Sequence, residues 1–150
     1  NKIHTAEDIE RLTPIPVLGV IGKNKASNNL AVFLKPKSMV AESFRALRSN
    51  IQFLFDRKLK DRSKTILITS SVGGEVKTCI SIYMATFFAL GGKKTILVGL
   101  DVRKPKIFGD FDITNEIGVV NYLIGEKNIS EVIQKSKIPN LDIITCFGIF

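Results

Sequence analysis

Hydrophobic side chains recur along this chain with two different periods. Val40, Phe44, Leu47, Ile51, Leu54 and Phe55 fall at helical spacing, which predicts an amphipathic helix over residues 37–55. The opposite side of that helix carries Glu42, Arg45 and Arg48, each three residues from the next. After a charged turn, Thr65-Ile66-Leu67-Ile68-Thr69 is β-branched and apolar, the pattern of a buried strand. Residues 79–90 are apolar almost all round, as a helix packed on a sheet requires, and Gly91-Gly92 ends them. Residues 95–98 predict a second buried strand, 119–124 and 130–135 two short helices, and 141–145 a third strand. Strand, helix, strand, helix, strand is the order of a parallel α/β sheet.

The first 36 residues differ in character. A short polar helix at 6–11 leads into Thr13-Pro14-Ile15-Pro16, whose prolines fix an extended course. Val17-Leu18-Gly19-Val20-Ile21 then predicts a buried or edge strand, and 22–29 a loop. The division expected is a linker-like segment with a first strand, 1–36, and a main domain, 37–150. The start at Asn1, without a basic-then-apolar leader, reads as an excised or processed piece.

Composition narrows the class. A chain of 150 residues with 45% hydrophobic and 24% charged side chains suits one globular domain. Ordinary glycine and proline contents exclude collagen and low-complexity readings, and no apolar run approaches the ~18 residues of a membrane helix. The net charge of +8 suits an anionic partner, but the lysines are scattered or paired and read as a solvated basic surface. Without aromatic residues interleaved among them, nucleic acid is not the expected partner. Cys79 and Cys146 form no CxxC, and His4 has no ligand partners nearby in sequence. A reducing compartment is expected, with neither a disulfide framework nor a zinc site. Tyr83 and Tyr122 sit in apolar helical contexts and are expected in the core.

The chemistry concentrates between the first predicted strand and its helix, in Thr69-Ser70-Ser71-Val72-Gly73-Gly74-Glu75-Val76-Lys77-Thr78. A small, glycine-rich turn that leaves a strand and opens a helix directs backbone N–H groups towards an anion at the positive end of the helix. Lys77 would reach the terminal phosphates of a nucleotide and the Thr78 hydroxyl would hold Mg²⁺. Val76 stands where a phosphate loop usually has glycine. A β-branched residue forced into a left-handed backbone there costs about 1–2 kcal/mol, roughly tenfold in affinity. The second strand runs on through Gly99-Leu100-Asp101 to Arg103-Lys104-Pro105. A carboxylate at the carboxyl end of a parallel strand is placed to hold Mg²⁺ or orient a nucleophile.

From about residue 37 onward the chain resembles the cytoplasmic kinase domain of the bacterial tyrosine kinases (BY-kinases) of capsule and exopolysaccharide export. Glu42-x-x-Arg45-x-x-Arg48 resembles that family's E-x-x-R-x-x-R helix. The run from Ser70 to Thr78 resembles its Walker A loop, with Gly73 in place of Pro and Val76 in place of the last Gly. The run from Leu97 to Pro105 resembles its Walker A′ strand, with Asp101 matching the second Asp and Gly99 replacing the first. Residues 118–125 and 140–144 resemble later family segments, and 12–22 resemble the stretch joining the kinase to its membrane adaptor.

That resemblance implies a P-loop three-layer α/β sandwich with a mostly parallel central sheet, C-terminally incomplete, since Phe150 precedes the expected Walker B carboxylate. It implies ATP and Mg²⁺ bound by Gly73, Gly74, Glu75, Val76, Lys77, Thr78 and Cys79, with Lys77 and Asp101 catalytic and Thr78 and Asp101 on the metal. It further implies ring-like self-association through Glu42, Arg45 and Arg48, a tyrosine-rich tail as substrate, and residence at the cytoplasmic face of the bacterial inner membrane. Two alternatives stand beside this reading. Val76 and Gly99 suit a catalytically impaired pseudokinase or assembly module of the same machinery, and the sheet and lysine loop alone also suit a partitioning-type P-loop ATPase.

Overall fold

A computed structural model describes residues 3, 5–22, 37–55, 62–70, 77–101 and 107–147, leaving out the side chain of residue 108. The chain divides into two compact units, one of residues 1–26 and 32–66 and the other of 27–31 and 67–150.

In the first unit, helix α1 (Ala6–Leu12) opens on a capping box. The Thr5 hydroxyl accepts from Asp8 N–H at 3.3 Å, and the Asp8 carboxylate accepts from Thr5 N–H at 3.0 Å. Helix α2 (Met39–Leu54) begins where Ser38 Oγ accepts from Ala41 N–H, and it buries Ala41 and Phe44. Its apolar stripe is thus real but narrow, for Leu54 remains exposed. The run Val17–Ile21 forms no strand. It takes no regular secondary structure and is held by a side chain instead of a ladder, with Asn50 Nδ2 on α2 donating to the Leu18 carbonyl at 2.7 Å. Val20 stands 72% exposed, so neither the buried nor the edge strand expected here forms, and the run pairs with no strand among the described residues.

The second unit carries the sheet. Helix α3 (Lys77–Leu90) buries seven residues on several sides, as its all-round apolarity required. It ends in a Schellman motif: Lys93 N–H reaches the Phe88 carbonyl, Gly92 N–H reaches that of Ala89, and Gly92 takes φ +80°. Strand β1 (Thr95–Val98) follows, then α4 (Ile107–Phe111), α5 (Val119–Leu123), α6 (Ile129–Val132), β2 (Gln134–Lys135) and β3 (Leu141–Ile144). The sheet order is β1-β3-β2. β1 pairs parallel with β3, Thr95 opposite Leu141 and Leu97 opposite Ile143, while β2 pairs antiparallel with β3. α3 packs on both β1 and β3, and Leu97, Leu141 and Ile143 are buried. Asn140, at φ +65°, joins these elements: its carbonyl accepts from Thr95 N–H at 2.9 Å and its Nδ2 donates to the Ala89 carbonyl at 3.3 Å.

Four expectations change. Thr65–Thr69 forms no strand and joins no ladder among the described residues, and Leu67 is 80% exposed. An apolar β-branched run becomes a strand only where a neighbour takes up its backbone groups. β1 is a strand but only half buried, because Ile96 and Val98 are exposed at the edge of the sheet. The helix expected over 130–135 shrinks to one turn, after which Gln134 and Lys135 turn into β2 and Lys135 pairs with Asp142 at 2.8 Å. Tyr122 is 45% exposed, unlike fully enclosed Tyr83, because in the single turn of α5 the inward position belongs to Asn121.

Asn121 anchors a polar network. Its Oδ1 accepts from Gly118 N–H at 2.9 Å, its Nδ2 donates to Glu126 at 3.0 Å, and its carbonyl accepts from Glu126 and Lys127 N–H. Val119 N–H donates to the Thr145 carbonyl and the Thr145 hydroxyl to the Ile117 carbonyl. Gly118 thereby lies directly against the chain leaving β3. A Cβ there would meet Phe147 N at 2.5 Å and the Thr145 carbonyl oxygen closer still.

Candidate nucleotide site

The site is built where α3 begins and the parallel strands end. Lys77 is the first residue of α3, and its ammonium donates to Ser70 Oγ at 2.7 Å in a half-buried position. This bond spans residues 71–76, so the lysine turns back towards the segment that precedes its helix. Ser71, Val72, Gly73, Gly74, Glu75 and Val76 lie outside the described residues. Thr78 and Cys79 follow on the first turn, both half-buried. Burial pushes the Cys79 thiol up from its usual range; a hydrogen bond with Tyr83 opposes that shift and the Asp110 carboxylate adds to it. α4 therefore brings Asp110 near the start of α3.

Asp101 stands exposed just beyond β1, on the side where the parallel strands point. Its charge reaches Cys146, just past the end of β3. The Cys146 thiol is raised first by burial and then by that carboxylate. Both cysteines are free thiols. Gly99 is buried, and its N–H donates to the Ile144 carbonyl at 2.9 Å. A Cβ at position 99 would lie 3.2 Å from Ile107 Cδ1 on α4, so an aliphatic side chain abuts the position at which the sequence resemblance would expect a first Asp.

The donor set fits a phosphate bearing a hard cation. Lys77 supplies a compact positive charge, while the Thr78 hydroxyl and the Asp101 carboxylate are oxygen donors of the kind Mg²⁺ takes alongside water and phosphate. Among the described residues no three His, Cys, Asp or Glu side chains gather into a metal cluster. A metal held mostly by water and phosphate needs none.

On α2, Glu42 and Arg45 form an ion pair within the helix, with Arg48 one turn further on and half-buried. An i,i+3 pair of this kind is worth only tenths of a kcal/mol, so stability alone does not require it. Three neighbours of the site escaped the sequence reading of their roles: Ser70 as the partner of Lys77, Ile107 beside Gly99, and Cys146 beside Asp101. Ser70 could have been found, since a hydroxyl just ahead of a glycine-rich turn faces the lysine that closes it. Nothing in the periodicity of residues 102–111 announced α4.

A parallel α/β unit with a lysine opening the helix after a glycine-rich turn, and an acid at the end of the next strand, defines a P-loop nucleotide-binding protein. The AAA domain family matches residues 63–147, and the chain belongs to that family. Its relatives there are bacterial tyrosine-protein kinases. It is 33% identical over 127 residues to tyrosine-protein kinase YwqD of Bacillus subtilis, an alignment covering 82% of this chain and 52% of the relative. Among solved structures it resembles the chimerical protein CapA2B2 (TM-score 0.81, 34% identity, 96% of this chain and 60% of that one). It also resembles the kinase domain of Escherichia coli tyrosine kinase ETK (TM-score 0.79, 25% identity, 93% and 58%). The chain spans about half the length of the first curated relatives it matches.

Proposed function

We propose that this chain is the ATP-binding portion of a bacterial protein tyrosine autokinase that controls the chain length and export of capsular or extracellular polysaccharide. The observation that supports this reading is Lys77, whose ammonium reaches back from the first position of α3 to Ser70, the residue just before the glycine-rich segment in sequence. Lys77 would stabilise the charge developing on the β- and γ-phosphates as the γ-phosphoryl group moves to a tyrosine oxygen. Thr78 and Asp101 would hold Mg²⁺, which when bound neutralises phosphate charge. Asp101, exposed just beyond β1, would also orient an incoming tyrosine hydroxyl. The segment Gly73, Gly74, Glu75 and Val76, with Cys79, completes the nucleotide contacts in this proposal.

Partners follow the same reading. The exposed Glu42–Arg45 pair and Arg48 would meet a neighbouring copy in a ring, which lets a tyrosine-rich tail enter the next subunit's site. Among the described residues no helix is long and apolar enough to cross a membrane. Attachment to the cytoplasmic face of the inner membrane would come from an adaptor segment upstream.

One observation favours a second reading. Ile107 abuts position 99, where a first carboxylate would stand, and that suits an assembly module with weakened metal chemistry. Titration of the chain with Mg·ATP separates the two. The kinase reading expects saturable binding that Lys77→Met weakens at least tenfold; binding untouched by Lys77→Met would refute it. Binding of ATP that is indifferent to Mg²⁺ would favour the assembly module.

A further inference from the structure

The contact between Ser70 and Lys77 is made wholly by protein atoms, between the last described residue before the glycine-rich segment and the first residue of α3. We propose that Ser70 is a positioning residue: its hydroxyl holds the Lys77 ammonium at the start of α3 and presents that charge to the terminal phosphates of a nucleoside triphosphate. This inference rests on the nucleotide reading above.

The chemistry of the pair supports sharing over competition. A lysine ammonium has three donors on one compact charge, and a serine oxygen engages one of them. The hydroxyl is neutral, so it fixes the ammonium without cancelling the charge the phosphates need; a carboxylate at the same place would cancel it. Lysine's four-carbon stem is otherwise flexible, and restraining it beforehand lowers the ordering cost when phosphate binds. Both residues are half-buried, so water competes less for this bond than on an open surface. The bond also joins the two ends of 71–76, tying the extended segment to the helix.

Ser70→Ala, Ser70→Thr, Lys77→Met and the Ser70→Ala/Lys77→Met double variant of this chain test the proposal, with far-UV circular dichroism confirming the fold of each. The first readout needs no nucleotide: acylation of Lys77 by an N-hydroxysuccinimide ester, followed by mass spectrometry and normalised to exposed Lys93 and Lys94. Ser70→Ala should label Lys77 several-fold faster, while Ser70→Thr should match the parent. The second readout is the affinity for Mg·ATP. Ser70→Ala should weaken it about 5- to 10-fold, the size of one hydrogen bond to a charged group, with Ser70→Thr within about twofold. In the Lys77→Met background, Ser70→Ala should cost nothing more.

Unchanged labelling overturns the proposal, as does faster labelling with unaltered affinity. A full additional loss in the double variant overturns it too, because it marks a structural role for Ser70 independent of the lysine. If even the parent chain binds no ATP, the nucleotide reading falls, and the presentation of Lys77 to phosphate falls with it. Labelling then reports only whether the hydroxyl holds the lysine.

Discussion

Adding a single methyl group at Gly118 should unsettle the second unit more than most deletions would. The backbone there is extended, so an alanine meets no torsional objection. The obstacle is space. Its Cβ would sit 2.5 Å from Phe147 N and 2.8 Å from the Thr145 carbonyl carbon, with the Thr145 oxygen nearer still, and all three are backbone atoms that cannot rotate away. To admit the methyl, the chain leaving β3 must separate from the start of α5. That motion breaks the Val119 N–H bond to Thr145 at 2.8 Å and the Thr145 hydroxyl bond to Ile117 at 2.9 Å. At about 1 kcal/mol net for each bond, and a similar amount for a buried group left unsatisfied, the loss is about 3 kcal/mol. For a domain of this size that lowers Tm by roughly 6–12 °C. Thermal unfolding followed by circular dichroism measures it. Gly109→Ala is the control, because Gly109 lies within α4 with open space around it and should change Tm by no more than about 3 °C. A Gly118→Ala protein melting within 2 °C of the parent would refute the packing argument.

Further expectations concern the acid limb, the α3–sheet joint and the metal site. The Glu131 carboxyl is held below its usual range, first by the Asn128 N–H and then by Lys127. Since its folded value is depressed, its contribution to stability is present above the ordinary carboxylate range and is lost as pH falls through the lowered value. Glu131→Gln should flatten part of the loss of stability between about pH 5 and 3 seen by urea unfolding. Asn140→Ala should cost about 1–3 kcal/mol in urea unfolding, from the left-handed backbone and the lost bond to Ala89, and Asn140→Gly should recover part of it. Gly99→Asp alone should fail to strengthen Mg²⁺-dependent ATP binding because Ile107 abuts the new side chain, whereas Gly99→Asp with Ile107→Ala should strengthen it. Titration at fixed ATP with varied Mg²⁺ reads the difference.

What could be read beforehand followed long, consistent signals. Residues 79–90 of α3 are apolar almost all round, and β1 and β3 are largely β-branched or aliphatic runs bounded by polar turns, so these elements lie where the sequence pattern placed them. Thr65–Thr69 and Val17–Ile21 carry the same composition but find no ladder among the described residues; pairing is a tertiary property that a local pattern leaves open. Gln134 and Lys135 show the converse, two polar residues made a strand by Asp142 and Ile143 opposite them. At the candidate site, Lys77 and Asp101 could be proposed from sequence because chemistry selects their residue types. Ile107 and Cys146 were not, since each matters through a neighbour that only folding supplies.

The bond from Asn140 to the Ala89 carbonyl gives α3 a mechanical meaning. Fourteen residues make a rod ~21 Å long, pinned to the root of the sheet at one end and carrying Lys77 at the other. A tilt of about 5° at the pin would swing the far end by about 2 Å, a displacement large against the tolerance that the proposed phosphoryl transfer would have. Asn140 therefore works as the fulcrum of a lever, and slack introduced there would be felt, amplified, at the lysine.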